Sequence, residues 1–171
     1  MPRHRLLLLR HAEAIPHVLT EDGDRSRALT SKGCEQAASI GRQLGKLDLP
    51  GPTQLLCSPA IRTRQTAQGV LDALDQAASV SIEDSLYSAT PDTLYGLVHA
   101  TSETVRTLLI VGHNPTIGEF ACDLLGPALQ NMRFSALSRG YPLAGLTILD
   151  VPGDWLDVRP STIQPATLLL P

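Results

Sequence analysis

Two arginines and two histidines carry the chemistry this sequence can do. Arg10 and His11 are adjacent, just past an apolar run; Arg62 follows a second such run, and His113 follows a third within Gly112-His113-Asn114-Pro115. Paired guanidinium forks and imidazole N–H donors suit a dianionic phosphoryl group, because Arg binds phosphate oxygens two at a time. One imidazole can do more than hold. Neutral imidazole is a nucleophile at neutral pH and can accept phosphorus covalently, splitting one difficult displacement into two easier ones. The other, as a donor or a cation, would neutralise charge on the phosphoryl oxygens.

The elements needed to bring these four together are legible in the pattern. Residues 5–10 read as an uninterrupted apolar strand, central and buried on both faces. A loop rich in charge spans Thr20 to Arg27, after which Thr30 is a helix N-cap. Small residues Cys34, Ala37, Ala38 and Gly41 recur behind it at helical spacing and would let that helix sit close to a sheet. Residues 53–57 form a second strand; Ser58-Pro59 reads as an N-cap with proline in the first helical position. Ala67, Val70, Leu71, Leu74 and Ala77 then trace one stripe. A third strand is expected at 79–83, a short helix from Pro91 to His99, and a fourth strand at 107–111. Asn114-Pro115 opens a helix with Ile117, Phe120, Ala121, Leu124 and Leu125 on one face, stopped at Gly126-Pro127. Two further strands are expected near 145–151 and 166–170. Strands alternating with helices predict an α/β fold, a three-layer αβα sandwich around a central, mainly parallel sheet. In such a sheet the residues just past the carboxyl ends of the strands meet in one crevice, with helix N-termini adding partial positive charge.

Composition narrows the classes. The chain has 171 residues, 43% hydrophobic and 18% charged, with a formal net charge of −3. That length suits one domain over 1–171, and the composition excludes disorder. The 14 basic residues are 12 Arg and only Lys32 and Lys46; all but Arg10 and Arg62 read as bias or solvated surface. A slightly acidic chain lacks the footprint of a nucleic-acid binder. Its longest apolar runs, Leu6 to Leu9 and Leu108 to Gly112, fall far short of the roughly 18 residues of a membrane span, and Arg10 interrupts the run near the N-terminus before it could serve as a signal segment. Three widely spaced cysteines, Cys34, Cys57 and Cys122, read as buried free thiols in a reducing compartment, so the cytoplasm is the expected location. No metal-ligand spacing and no phosphate-cradling Gly-rich loop occurs, so neither a metal nor another cofactor is expected.

The segments around the four residues resemble the histidine phosphatase superfamily, the phosphoglycerate-mutase-like proteins. Leu9-Arg10-His11-Ala12-Glu13-Ala14 is similar to their Arg-His-Gly signature, with Ala12 in place of glycine. Further similarity runs through Leu29-Thr30-Ser31-Lys32-Gly33 with Gln36, through Ser58-Pro59-Ala60-Ile61-Arg62-Thr63-Arg64-Gln65-Thr66-Ala67, and through Val111 to Pro115. The short length most resembles the phosphohistidine phosphatases of the SixA type. The resemblance implies that His11 is the phosphorylated nucleophile and that Arg10, Arg62 and His113 complete a catalytic, substrate-binding pocket. Glu13 would either position substrate or make a structural hydrogen bond to a nearby loop. His17 is a candidate for the rim; His4 and His99 read as surface, and Arg64 as solvated.

One departure bears on substrate. Ester-cleaving relatives place a Glu or Asp just past the third strand, as the acid that protonates a leaving alkoxide, whereas this chain reads Leu86-Tyr87-Ser88-Ala89. Glu83 and Asp84, slightly upstream, are the candidates for that acid. An alkoxide leaves with the basicity of hydroxide (water pKa ~15.7), imidazole with a pKa of ~6.5, so phosphohistidine needs no strong acid. The expected activity is therefore a metal-independent phosphatase acting on phosphohistidine in a protein. Two alternatives stand beside it: a small-molecule phosphomonoesterase using Glu83 or Asp84, and a catalytically idle phosphoryl-binding regulatory module. The expected partner is a phosphorylated substrate, with no nucleic acid and no membrane.

Overall fold

A computed structural model of the chain describes residues 3–16, 23–74 and 76–171. The expected alternation is present: β1 (His4–Arg10), α1 (Ser31–Leu44), β2 (Thr53–Cys57), α2 (Ile61–Leu74), β3 (Ala78–Ile82), α3 (Pro91–His99), β4 (Thr107–Gly112), α4 (Thr116–Leu125), β5 (Leu146–Val151) and β6 (Gln164–Leu169). One sheet orders them β3-β2-β4-β1-β5-β6. β3, β2, β4 and β1 run parallel, while β5 is antiparallel to β1 and β6 antiparallel to β5. No helix of the described residues is long and apolar enough to cross a membrane.

Strand β1 shows why the sheet has two covered faces. Leu6 and Leu8 point into a core with Leu108, Ile110, Leu94, Val98, Phe120 and Trp155, on the side of α3 and α4. Leu7 and Leu9 point the other way, into a core with Leu109, Val111, Ile40, Leu44 and Val70, on the side of α1 and α2. A run of four leucines alternating across a sheet must be buried on both sides. Each such leucine stabilises the fold by about 2–5 kcal/mol relative to alanine. The αβα sandwich follows from that run and its partner in β4.

Local signals behaved differently according to their reach. Thr30 caps α1 by accepting a hydrogen bond from the Gly33 N–H at 3.0 Å, and all five expected positions of α4 are buried. The small residues of α1 face α2 more than the sheet: a Cβ on Gly41 would stand 2.4 Å from the Val70 carbonyl oxygen, and one on Gly69 2.9 Å from the Ala37 Cβ. Cys34, expected to be buried, is exposed, while Cys57 is buried and Cys122 half-buried. Helix α2 begins at Ile61 rather than at Pro59, and the Ser58 hydroxyl meets His113 instead of capping it. β3 is an edge strand, shifted one residue from the expected 79–83, with Val80 and Ile82 about half exposed. His4, expected on the surface, is fully buried, and His99 is half-buried with its Nε2 3.0 Å from the Val158 carbonyl oxygen.

Candidate active site

The parallel register delivers the four residues to one place. Arg10 pairs with Gly112 across β1 and β4, so His11 and His113 leave adjacent strand ends one residue later. The His11 N–H donates to the Gly112 carbonyl at 3.0 Å, and the two imidazole rings lie 5.5 Å apart. Arg62, in the first turn of α2, reaches the same point with its NH2 3.3 Å from Nδ1 of His113. Arg64, two residues on, is exposed.

The backbone after His11 is pinned on both sides. The Ala12 N–H donates to Thr66 Oγ1 on α2, and the Glu13 N–H donates to Gln36 on α1. Ala12 is fully buried, which is why a small residue stands there. The start of α1 crowds the same loop: a Cβ on Gly33 would stand 2.0 Å from the Glu13 carbonyl oxygen. The carboxylate of Glu13 accepts from Thr30 Oγ1 and pairs with Lys32. These contacts, Thr30 first, hold its pKa below the ordinary value. The loop-binding geometry is therefore the one adopted by Glu13.

Hydrogen-bond polarity fixes the tautomers. Nδ1 of His11 lies 2.8 Å from the Ala12 carbonyl oxygen, an acceptor only, so Nδ1 carries the proton and Nε2 keeps its lone pair. Burial, followed among the lowering influences by the charges of Arg62, Arg10 and Arg27, pushes the His11 pKa down to about 4 despite the bond to Ala12. His113 is the mirror case. Its Nδ1 faces an Arg62 N–H, which can only donate, so a neutral ring must carry its proton on Nε2, which lies 2.6 Å from Ser58 Oγ. Burial, then Arg62 and His11, push its pKa down to about 3. Of the two roles open to the second histidine, donor or cation, the geometry fits the donor: beside Arg62, His113 is a neutral donor, and its N–H is shared with Ser58.

The arginines are held yet not exhausted. Arg10 NH1 donates to the Tyr141 carbonyl at 2.5 Å, on the segment leading into β5. Arg62, only 6% exposed, donates from NH1 to the Asp24 carbonyl at 2.7 Å and from NH2 to Asp24 Oδ2 at 2.8 Å. The Nε of each is buried without a partner among the described residues. Buried N–H donors are rarely left unmatched, so each guanidinium keeps hydrogen-bonding capacity beyond the contacts that hold it.

Three residues of this neighbourhood were not foreseen. Asp24 lies on a short 3-10 turn (Asp24–Ser26) and accepts from Arg27 NH1 at 2.9 Å and Tyr87 Oη at 3.0 Å as well as from Arg62. Burial opposes its charge, yet bonds from Arg27, Arg62 and Tyr87 prevail and hold its pKa at about 2. Tyr87 presents its ring edge-on to His113 at 5.5 Å, under the Arg25 guanidinium at 4.1 Å. Ser58 is the third. The carboxylates proposed as acids lie elsewhere: Glu83 faces a depression with Gln54, Leu56, Leu97 and Thr101, and Asp84 is exposed. Among the described residues, neither carboxylate bonds to Arg10, His11, Arg62 or His113. His17 lies outside the described residues.

Known proteins resemble this chain in sequence and fold. The model of the histidine phosphatase superfamily (branch 1) matches residues 6–90. An uncharacterised protein of Mycobacterium tuberculosis (strain H37Rv) is 34% identical over 155 residues, 89% of this chain and 92% of that one. Phosphohistidine phosphatase SixA of Escherichia coli (strain K12) is 29% identical over 127 residues, 70% of this chain and 73% of that one. The crystal structure of a SixA-type phosphohistidine phosphatase assignment from Agrobacterium tumefaciens superposes with a TM-score of 0.82 at 29% identity, covering 100% of this chain and 99% of that chain.

Proposed function

Because the chain belongs to the histidine phosphatase superfamily, it is a phosphatase, and we propose that it removes the phosphoryl group from phosphohistidine in a protein, through a covalent intermediate on His11 and without a metal. The observation that carries this reading is the Nε2 of His11, without a partner among the described residues and set among Arg10, Arg62 and His113, with two buried guanidinium N–H groups likewise unmatched there. Nε2 attacks phosphorus as the bond from phosphorus to the substrate imidazole breaks, and that electron pair leaves with the imidazole. Water then attacks phosphorus on His11, the electron pair of the new P–N bond returns to Nε2, and inorganic phosphate departs with the proton balance of water. Arg10 and Arg62 hold the phosphoryl oxygens through both steps, and the His113 N–H meets the charge that builds on them.

Among the described residues, no protonated carboxyl group stands at the pocket to protonate an alkoxide. Asp24 is ionised and surrounded by donors. A phosphoramidate tolerates that lack better than an ester does. We place the enzyme in the cytoplasm, where its three unpaired thiols would stay reduced. Turnover of a phosphohistidine-bearing protein, compared with a panel of small phosphate esters after exhaustive chelation, tests the reading. The phosphohistidine protein should have the higher kcat/KM with full activity retained; preference for an ester, or a stoichiometric metal requirement, would overturn it.

A further inference from the structure

A leaving group has a second end. When phosphohistidine loses its phosphoryl group, the departing species is imidazole rather than imidazolate only if the ring nitrogen remote from phosphorus carries a proton. An enzyme specific for this substrate gains from a hydrogen-bond acceptor at that nitrogen. An enzyme for alkyl esters needs the opposite polarity, a donor aimed at the ester oxygen.

The polarity found beside His113 is that of an acceptor. Tyr87 follows β3, and its ring stands edge-on to His113. Its hydroxyl proton is already committed, because Tyr87 Oη donates to Asp24 Oδ2 at 3.0 Å. Asp24 cannot return the favour: its two carboxylate oxygens accept from Arg27 and Arg62 as well, and its backbone carbonyl accepts from Arg62. A carboxylate so placed is an acceptor only, so the Tyr87 oxygen offers lone pairs to whatever lies next to it. Arg62 ties this pair to the phosphate pocket, since the same guanidinium bonds Asp24 and approaches His113. Arg25 covers the open face of the Tyr87 ring and holds it in place.

We propose that Tyr87, with its proton held by Asp24, is the specificity-determining residue for the leaving group: its oxygen accepts a hydrogen bond from the protonated remote ring nitrogen of phosphohistidine. This rests on the phosphohistidine reading above and deepens it. The pair favours the substrate form whose P–N bond breaks to give neutral imidazole. It gives no proton to an alkoxide, so selectivity arises from what the pocket accepts.

The test compares a phosphohistidine peptide with para-nitrophenyl phosphate, whose leaving group has no N–H, on wild type, Tyr87→Phe and Asp24→Asn. Tyr87→Phe keeps the ring beneath Arg25 and beside His113 while removing the oxygen. It should lower the ratio of peptide to ester kcat/KM about tenfold, the size of one lost hydrogen bond in the transition state. The alkaline limb of kcat for the peptide should move to lower pH, because the bound substrate loses the acceptor that favours its protonation. Asp24→Asn should shift the ratio the same way, since an amide no longer draws the tyrosine proton. Equal losses on both substrates with unmoved pH limbs would make Tyr87 a scaffold residue and overturn the proposal, leaving the phosphohistidine reading intact. A wild-type enzyme that hydrolyses the ester and not the peptide would overturn both.

Discussion

Strand β1 carries a buried histidine at each end, and the two have opposite surroundings. His4 opens the strand, fully buried, with Nδ1 2.9 Å from the Val105 carbonyl oxygen, Nε2 3.0 Å from Glu103 Oε2, and its ring 4.8 Å from that of Trp155. Glu103 also accepts the Trp155 N–H and pairs with Arg3. His11, just past the other end, is nearly as buried, yet among the described residues only Nδ1 has a hydrogen-bond partner, and its charged neighbours are arginines. Both nitrogens of His4 are spent on acceptors in the one loop that joins α3 to β4. One nitrogen of His11 has no partner among the described residues. Burial does not set the proposed nucleophile apart; the nitrogen without a partner among the described residues does.

The sharpest way to break this contrast is to delete each ring. His11→Ala should lower kcat by roughly a thousandfold or more while changing thermal stability little, because the proposed nucleophile is gone. His4→Ala should do the reverse, costing roughly 2–4 kcal/mol of unfolding free energy through the cavity and the lost hydrogen bonds to Glu103 and Val105, with kcat nearly unchanged. Denaturant titration and steady-state kinetics on both variants check this. Comparable losses of kcat in the two would erase the distinction between the ends of the strand.

A smaller effect sharpens it through pH. The folded chain keeps His11 and His113 neutral down to about 4 and about 3, while an unfolded chain protonates histidine near 6.5. As pH falls below about 6.5 the unfolded state therefore binds more protons, and these two residues make stability fall with it. Asp24, held at about 2, adds to the loss only at lower pH, below the ordinary carboxylate range near 3.9. Nitrogen-15 chemical shifts of the imidazoles at pH 5.5 should show both pocket histidines neutral; midpoints near 6.5 would contradict the electrostatics of the site.

What could be read from the sequence was what short stretches decide. Four alternating leucines settle a doubly covered strand, Thr30 followed by Gly33 settles a cap, and five positions at helical spacing settle the buried face of α4. Arg10, His11, Arg62 and His113 were legible because strand ends in a parallel sheet converge whatever their order. Asp24 was not, because its role depends on Arg62, 38 residues away, and Tyr87, 63 away. The one local hint was a carboxylate flanked by Arg25 and Arg27 in a charged loop. Ser58 was misread for a physical reason: its hydroxyl had two plausible partners, a helix N–H and a distant imidazole, and only the packed β4 decides between them. His4 looked like surface because nothing near it in sequence predicts Glu103 or Trp155 as its neighbours.

The central claim is that phosphorus passes through Nε2 of His11. Brief reaction with a radiolabelled phosphohistidine protein, followed by denaturing quench, tests it most directly. The chain should carry an acid-labile, base-stable label that maps to the peptide containing His11, that is lost in His11→Ala and that persists in His4→Ala. A label that survives His11→Ala, or turnover that continues without any label on the wild-type enzyme, would contradict it.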